Sequence, residues 1–467
     1  MKVSDIIKRT GGRLISGDAD IEIPPHRFST DSRSLKKGDL FIAIKGPKFD
    51  GNDFVTRALK QGAIGAIISR RASCVMRHAH NAKRKAHDKS RVIILVKDTT
   101  LAYGAIAHHY RLLFNIPILA VTGSNGKTTT KEMLSHILSG RFRVLKNDGT
   151  RNNQIGVPET LLRLKKTTDI AVLEFGMNHL GEIRYLSGIA KPSLGIITNI
   201  GPSHLESLRS LGNVFRGKRE LLEALPKGAG AIINGDDVFL SRFRAVCLKV
   251  TTFGLNKHNS ISASGIRFRN GVWDFIVNDK HPFRLRMLGR HNIYNALAAI
   301  AAARSFGLGF SYMAKRLLSF REASGKRLAV KDIGGVKFID DSYNSNPLSL
   351  RCALDALLEY ETDGRRFLVS GDMLELGALA RSFHEEAGEL IARSKIDYLV
   401  TMGDLSGATR SGALRLGMDK SMAKQCSNHA QAASFLKRLA RARDVILVKG
   451  SRTMGMEKVI EEFKAMR

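Results

Sequence analysis

Short apolar runs, each followed by a polar turn and then by a helical pattern, recur along the chain. Residues 116–121 are Ile-Pro-Ile-Leu-Ala-Val, and an amphipathic segment from Lys131 to Leu138 follows a glycine-containing turn. The runs 169–174 and 194–198 are similarly apolar and rich in β-branched residues. Continuous apolar runs of this length are typical of strands that are buried on both faces of a parallel sheet. The pattern therefore predicts an α/β protein built on parallel sheets.

The turn after the first run has the composition of a phosphate-binding loop, although the strict motif has glycine where this chain has Val121. Backbone N–H groups of such a turn converge with the helix N-terminus on an anion. Lys127 is expected to reach the β- and γ-phosphates of ATP, and the Thr128 hydroxyl to bind Mg²⁺. A chance match is the alternative, which the flanking strand and helix oppose. The residues expected to bind ATP here are Gly123, Ser124, Asn125, Gly126, Lys127, Thr128 and Thr129.

Polar residues also end two later strands of the predicted sheet. Glu174 ends the run 169–174, and His204 follows the run that begins at Leu194. Ligands bind beyond the carboxyl ends of the strands in open parallel sheets, so Thr128, Glu174 and His204 are expected in one crevice as metal and phosphate ligands. Taken singly, Glu174 is equally well an exposed acid and His204 a structural histidine.

Two further segments carry polar residues with open roles. A helix is predicted to open at Gly217, and Lys218 would be a metal ligand there only as a carbamate. Asn292 and Asn295 lie three positions apart, and so on one face, of an Ala-rich helix predicted to end at Arg304. Either amide could bind an adenine edge, and helix capping by Asn292 is the alternative.

Length, charge and cysteine content limit the class of protein. The chain has 467 residues, which suggests about three domains, and a formal net charge of +32. No apolar run approaches the ~20 residues of a membrane helix, and the charged N-terminus lacks the apolar core of a signal peptide, so a cytoplasmic protein is expected. The four cysteines lie far apart, which predicts neither a zinc ribbon nor a redox pair.

Basic residues are concentrated between Arg70 and Arg91. A solvated insertion loop is the favoured interpretation of this segment, and an RNA- or lipid-binding tail is the alternative. Because the other basic residues are spread over the whole chain, no nucleic-acid partner is expected.

Breaks in the pattern predict three domains, 1–112, 113–322 and 323–467. In the first, Ser32 and Arg33 lie side by side on a loop, where a hydroxyl and a guanidinium fork can bind a phosphate or a uracil edge. A solvated turn is the alternative there. In the third, apolar strands alternate with helical segments, which predicts a second parallel sheet of Rossmann type.

Several segments together resemble the bacterial Mur ligases, over nearly the whole length of the chain. They are 31–33, 38–41, 122–130, 152–158, 174–179, 199–204, 289–292, 340–347 and 371–377. The phosphate loop and His204 are similar to all members of the family, whereas 340–347 and 371–377 are similar to the member that adds D-alanyl-D-alanine. Thr150 and Asn52 stand where the family usually has Asn and His.

The resemblance implies a cytoplasmic ligase with an N-terminal domain for the UDP-linked substrate, a central P-loop-type ATPase domain and a C-terminal Rossmann-like domain. It would join D-alanyl-D-alanine to UDP-N-acetylmuramoyl-tripeptide through an acyl phosphate, with ATP and Mg²⁺, in peptidoglycan precursor synthesis. A monomer without a membrane span is expected. The alternatives are a sister ligase, a folylpolyglutamate-type ligase and an ATP-driven nucleic-acid-binding protein.

The resemblance also implies roles for individual residues. The residues implied in catalysis are Lys127, His204 and Lys218. Those implied in ATP binding, besides the phosphate loop, are Asn292, Asn295, Arg327 and Asp341. Those implied in substrate binding are Ser32, Arg33, Asn152, Asn153, Tyr343 and Asn344. The implied metal ligands are Thr128, Glu174, His204 and, if carbamylated, Lys218.

Overall fold

A computed structural model describes residues 1–46, 49–69, 91–321, 325–394 and 396–466. The chain divides into two compact units. The first unit comprises Met1–Ile118, Arg143–Phe175 and Arg184–Pro192, and the second comprises Leu119–Phe142, Gly176–Ile183 and Ser193–Arg467. The basic segment that was predicted to be an insertion loop lies, apart from Arg91, outside the described residues.

The described part of the chain contains twenty strands. They are β1 (Arg13–Ser16), β2 (Phe28–Ser29), β3 (Leu40–Ile42), β4 (Gly65–Ile68), β5 (Val92–Leu95), β6 (Ile118–Thr122), β7 (Val144–Lys146), β8 (Ile170–Glu174), β9 (Leu194–Ile197), β10 (Gly230–Asn234), β11 (Lys249–Gly254), β12 (Ile261–Arg269), β13 (Val272–Val277), β14 (His281–Leu285), β15 (Ala329–Ile333), β16 (Val336–Asp341), β17 (Arg366–Gly371), β18 (Tyr398–Met402), β19 (Ala423–Cys426) and β20 (Val445–Lys449).

Fifteen α-helices lie within the same ranges. They are α1 (Val3–Thr10), α2 (Val55–Lys60), α3 (Thr99–Arg111), α4 (Lys127–Leu138), α5 (Gly156–Leu161), α6 (Glu182–Ala190), α7 (Leu205–Leu208), α8 (Leu211–Glu223), α9 (His291–Arg304), α10 (Phe310–Ser319), α11 (Pro347–Glu359), α12 (Ala380–Arg393), α13 (Ser406–Arg415), α14 (His429–Leu439) and α15 (Glu457–Ala465). None of the helices in the described ranges has the length and apolar character needed to cross a membrane.

Five strands of the first unit form a sheet in the order β1-β5-β4-β3-β2. β2, β3, β4 and β5 pair in parallel, and β1 is antiparallel to β5. Every residue of β3 and β4 is buried, which explains their uninterrupted apolar sequences. β7 and β8 form a parallel pair in the same unit, and β8 ends at the buried Glu174.

Seven strands of the second unit follow the order β14-β13-β12-β11-β10-β9-β6. β6, β9, β10 and β11 are parallel, whereas β12, β13 and β14 form an antiparallel extension. Val121 of β6 lies opposite Ile196 of β9, so the two strands end at the same edge. The turns that follow them, which carry the phosphate loop and His204, therefore leave the sheet side by side.

The C-terminal part of the second unit contains a six-stranded sheet in the order β15-β16-β20-β17-β18-β19. Its strands are parallel, as predicted, except that β15 runs antiparallel to β16. The buried side chains of one core cluster include Phe338, Phe367, Val448 and Phe463. β16 and β20 are paired neighbours and end at Asp341 and Lys449, which places these two charges at one edge.

The prediction of a helix that opens at Gly217 was wrong, because α8 begins earlier, at Leu211. The Ser210 side chain accepts a hydrogen bond from the Asn213 N–H and so caps the helix. Serine is among the preferred residues at this position, which is the signal that was overlooked. Lys218 therefore projects from the interior of a helix. The predicted helix that ends at Arg304 is confirmed as α9.

Replacing Phe338 by Ala should destabilise the C-terminal part of the second unit. Phe338 is fully buried, and its ring packs edge-to-face on Phe463 with 4.8 Å between the ring centroids. The cavity left by truncation should lower the free energy of unfolding by about 3–5 kcal/mol, measured by urea denaturation followed by circular dichroism. Leu358→Ala, at a side chain that is 38% exposed, is the control. Equal losses in the two variants would contradict this account of the core.

Candidate active site

Hydrogen bonds fix the phosphate loop between β6 and α4 to the turn that follows β9. The Asn199 side chain accepts from the Asn125 N–H (3.0 Å) and donates to the Asn125 carbonyl (3.1 Å). The Ser124 hydroxyl donates to the Gly201 carbonyl and accepts from the Gly201 N–H, both at 2.9 Å. Asn199 thus supports the loop, a role that the sequence analysis did not assign.

Two glycines allow the loop to close. Gly123 and Gly126 have φ of +149° and +79°, a region that L-residues with side chains rarely adopt. A Cβ at Gly123 would lie 1.8 Å from the Thr198 hydroxyl oxygen, and one at Gly126 would lie 2.2 Å from the Asn295 amide oxygen. Because α4 begins at Lys127, its first N–H groups face the same loop. This geometry is that of an anion-binding loop.

Two lysines lie at this loop. The Lys127 ammonium donates to the carbonyls of Gly123 (2.9 Å) and Ser124 (3.1 Å). Lys218 of α8 is 2% exposed, and burial together with the charge of Lys127 holds the pKa of its amine well below the usual value. The structure therefore brings together these two residues, which were both predicted to be catalytic.

Each of the predicted metal ligands Thr128 and His204 has a partner from the C-terminal part of the second unit. The Arg327 guanidinium donates to the Thr128 hydroxyl oxygen at 3.1 Å. His204 Nδ1 lies 2.6 Å from Glu375 Oε2, and this hydrogen bond lowers the pKa of the Glu375 carboxyl. Glu375 lies in a segment that the sequence analysis singled out, but no role was assigned to it.

Glu174 and Asn152 contact each other in the first unit. The Asn152 amide donates to Glu174 Oε1 at 2.7 Å, which joins a predicted metal ligand to a predicted substrate ligand. The Asn147 side chain also fixes the backbone of Glu174. It accepts a hydrogen bond from the Glu174 N–H (2.9 Å) and donates one to the Glu174 carbonyl (3.1 Å). The Asn153 side chain instead accepts from two backbone N–H groups at the start of α5. The convergence of Glu174 with Thr128 and His204 stays a prediction.

The predicted UDP-binding residues Ser32 and Arg33 differ in exposure. The Arg33 guanidinium forms two hydrogen bonds to the Asp31 carboxylate, at 2.9 and 2.8 Å, and its side chain is 81% exposed. This pair lowers the pKa of Asp31 to about 2. Ser32, in contrast, is buried. Arg33 therefore presents its charge to solvent, whereas Ser32 does not.

The turn after β16 is fixed by a buried lysine. The Lys449 ammonium donates to Asp341 Oδ2 (2.5 Å) and to the Asn344 carbonyl (3.0 Å). The Arg327 guanidinium lies over the Tyr343 ring, 4.1 Å from its centroid. Because Arg327 also contacts Thr128, it connects this turn to the phosphate loop. Lys449 ends an apolar strand just as Glu174 does, and this position was the available signal for its role.

The predicted adenine ligands Asn292 and Asn295 are both buried and bind each other. The Asn295 amide donates to the Asn292 side-chain oxygen (2.9 Å), and the Asn292 amide donates to the Leu288 carbonyl (2.7 Å). The α9 N-cap is Arg290, so the capping role considered for Asn292 is not observed. Their contact with adenine stays a prediction.

A further contact joins the loop to α11. The Asn346 amide donates to the Asn125 side-chain oxygen at 2.9 Å, and Asn125 donates in return at 3.3 Å. Asn346 also caps α11 by accepting from the Ser349 N–H. Helices commonly begin with Asn at the N-cap followed by Pro, and this pattern at Asn346 and Pro347 was the available signal for the start of α11.

The donors present fit Mg²⁺. This ion takes oxygen ligands, keeps several waters, and is usually held by one or two carboxylates together with substrate phosphates. The Thr128 hydroxyl and the Glu174 carboxylate are donors of this kind. Among the residues that the structure describes, no group of three or more His, Cys, Asp or Glu side chains could hold a metal by itself. Thr128 and Glu174 are each of a residue type that can bind this ion beside a nucleotide.

Comparisons with known proteins define the class. Three family models match successive parts of the chain: "Mur ligase family, catalytic domain" over residues 25–111, "Mur ligase middle domain" over 121–303, and "Mur ligase, glutamate ligase domain" over 326–452. Relatives also match the chain over nearly its full length. The chain therefore belongs to the Mur ligase family.

Two of these relatives are UDP-N-acetylmuramoyl-tripeptide--D-alanyl-D-alanine ligases. The enzyme of Bacillus subtilis is 34% identical over 94% of this chain and 93% of its own length. That of Escherichia coli is 34% identical over 98% of this chain and 96% of its own length.

Solved structures agree with this assignment. A crystal structure of MurF from Acinetobacter baumannii has a TM-score of 0.88 and 31% identity, and covers 99% of this chain and 98% of that one. The MurF ligase of Thermotoga maritima in complex with ADP has a TM-score of 0.82 and 27% identity, and covers 95% of this chain and 98% of that one. The predicted α/β fold and its three-domain architecture are confirmed.

Gly126→Ala should weaken ATP binding. The added Cβ would meet the Asn295 amide oxygen in a left-handed backbone conformation, so the loop must shift. Strain of about 1–2 kcal/mol corresponds to roughly tenfold lower affinity, measured by calorimetric titration with ATP. Gly188→Ala is the matched control, because nothing lies within 4 Å of its Cβ position. Unchanged affinity in Gly126→Ala would show that the loop does not need this geometry.

His291, at the start of α9, should make the protein less stable in acid. Burial and the nearby Lys449 charge lower the pKa of His291 to about 4. The unfolded chain takes up this proton below about pH 6.5, whereas the folded protein does so only near pH 4. Stability should therefore fall with pH through this window, by up to about 3 kcal/mol.

The variant His291→Gln should lose less stability than the parent between pH 6.5 and 4.5, measured by urea denaturation at several pH values. His258→Gln, at an exposed position, should behave like the parent. A parental pH dependence in His291→Gln would rule out the buried histidine as its source.

Proposed function

We propose that this chain is an ATP-dependent ligase that joins D-alanyl-D-alanine to UDP-N-acetylmuramoyl-tripeptide in peptidoglycan precursor synthesis. The observation that carries the proposal is the glycine-dependent phosphate loop, whose Thr128 and Asn125 contact Arg327 and Asn346. Relatives that bear this activity in their names match the chain over more than nine-tenths of its length.

The reaction must activate a carboxylate, because joining it to an amine in water is uphill. A carboxylate oxygen of the tripeptide attacks the γ-phosphorus of ATP, and ADP leaves. The amine nitrogen of the dipeptide then attacks the acyl carbon of the acyl phosphate. Phosphate leaves as the C–N bond forms, and the nitrogen loses a proton. The products are the amide, ADP and inorganic phosphate.

The residues at the loop supply position and charge. Lys127 and the loop N–H groups offset the repulsion between the carboxylate and the triphosphate, and Arg327 adds a second positive charge beside Thr128. Thr128 and Glu174 would hold one Mg²⁺ and His204 a second, and these ions would neutralise phosphate charge when they are bound. Thr128 and Glu174 are buried, which strengthens electrostatic interactions at these two residues.

Lys218 is assigned as a carbamate that contributes an oxygen ligand. A buried amine favours the neutral form, whose nitrogen can attack CO₂ and release a proton. Protein supplied with ¹³C-labelled CO₂ should show a carbamate carbon resonance that is absent from Lys218→Ala. Lys166→Ala, at an exposed lysine, should keep the resonance. If the parent shows no such resonance under saturating CO₂, Lys218 acts as an amine.

The remaining predicted residues are assigned to the two substrates and to adenine. Arg33, with its exposed guanidinium fork, suits the diphosphate of the UDP-linked substrate. Tyr343 and Asn344 lie on the turn that Lys449 fixes, and are assigned to the dipeptide. The others follow the same assignment as in the sequence analysis: Ser32, Asn152 and Asn153 for the UDP-linked substrate, and Asn292, Asn295 and Asp341 for ATP.

The domain boundaries are placed at 1–112, 113–322 and 323–467. The family matches, which end at 111 and 303 and restart at 121 and 326, support these positions. A monomer in the cytoplasm, where nucleotide substrates are available, completes the proposal. No nucleic-acid partner is included.

ADP release should require both the UDP-linked tripeptide and D-alanyl-D-alanine, together with Mg-ATP. Lys127→Ala should lower the rate at least about 100-fold, because it removes a charge that stabilises the transferring phosphoryl group. A coupled assay for ADP measures this, with Lys166→Ala as the control. ADP release that needs no UDP-linked peptide, or that RNA stimulates, would contradict the proposed reaction.

A further inference from the structure

Glu375 contacts His204 through its side chain and the nearby Glu206 through its backbone. Its carboxylate lies 2.6 Å from His204 Nδ1, and its carbonyl accepts from the Glu206 N–H at 3.0 Å. The residue two positions on, Gly377, packs so closely that a Cβ there would lie 3.0 Å from the Glu206 Cα. The segment therefore lies directly against the turn that carries the histidine.

The backbone at this contact is constrained on both sides. Glu375 and His204 have φ of +64° and +53°, although neither is glycine. Non-glycine residues in this region are strained and persist only where the surrounding structure holds them. The strain is thus located at the contact that joins the two side chains.

The segment that carries Glu375 is anchored to the C-terminal sheet. The Leu374 N–H donates to the Ser451 hydroxyl (2.8 Å), and the Ser451 N–H donates to the Asp372 carbonyl (2.9 Å). Ser451 lies two positions after the end of β20. The position of Glu375 therefore depends on the C-terminal sheet as well as on the turn that carries His204.

Hydrogen bonding at one imidazole nitrogen selects the other as a metal ligand. With Nδ1 donating to Glu375, the lone pair of Nε2 is free to bind a cation. A carboxylate in this position orients the ring. An exposed ion pair with little influence is the alternative, since the Glu375 side chain is 56% exposed.

We infer that Glu375 is a positioning residue, which fixes the orientation of His204 for metal binding and makes that binding depend on contact with the C-terminal sheet. The inference rests on one part of the proposed function, namely that His204 binds Mg²⁺ beside ATP. Because coupling is reciprocal, a bound metal should in turn favour the Glu375 contact.

The affinity of the full-length protein for Mn²⁺, in the presence of a non-hydrolysable ATP analogue, tests this inference by electron paramagnetic resonance. Glu375→Ala should weaken Mn²⁺ binding by about 10–100-fold, as is usual when the partner of a metal-binding histidine is lost. Glu375→Gln keeps an acceptor oxygen and should lose less. Glu461→Ala, at an exposed glutamate of α15, is the control and should match the parent.

A double variant separates positioning from a general structural effect. In a His204→Ala background, Glu375→Ala should cause no further loss of Mn²⁺ affinity. The same loss in both backgrounds, or unchanged affinity in Glu375→Ala, would overturn the inference. Circular dichroism confirms that each variant is folded. Mn²⁺ binding needs no turnover, so a parent that binds the ion normally but lacks ligase activity would contradict the proposed function and leave the role of Glu375 standing.

Discussion

Close backbone packing around the phosphate loop is the constraint on which the rest of the site depends. The Cα atoms of Gly123 and Gly126 lie where any side chain would collide with Thr198 or Asn295. The loop therefore packs directly against the turn after β9 and against helix α9. Its anion-binding geometry is a property of three chain segments and not of the motif alone, and this favours a fixed loop that needs little reorganisation when phosphate binds.

Residues beyond position 325 complete the surroundings of this loop. Arg327 contacts Thr128, Asn346 contacts Asn125, and Glu375 contacts His204. Each pair joins a residue of the nucleotide-binding part to one that the C-terminal sheet or its preceding segment carries. The C-terminal part is thus connected to the phosphate loop and to the turn that carries His204 at several points, so a change at either end of these contacts can alter the other.

Lys218 and Lys449 illustrate how burial changes the chemistry of one residue type. Both are 2% exposed. Lys449 is paired with Asp341, and its charge fixes the turn that holds Asn344. Lys218 lies instead beside another lysine, and its pKa is lowered. The same side chain thus serves as a structural cation in one place and as a candidate for covalent modification in the other.

The buried strands, the phosphate loop and the order of the α/β segments could be predicted from the sequence, because long apolar runs and a glycine turn are local signals. It placed Lys218 wrongly at a helix start, since the cap at Ser210 was overlooked. The contacts of Glu375, Asn346 and Lys449 could not be predicted, because their partners lie more than a hundred positions away in the chain. The sequence around a polar residue at a strand end does not indicate which side chain that residue will contact. The packing of distant segments decides the contact.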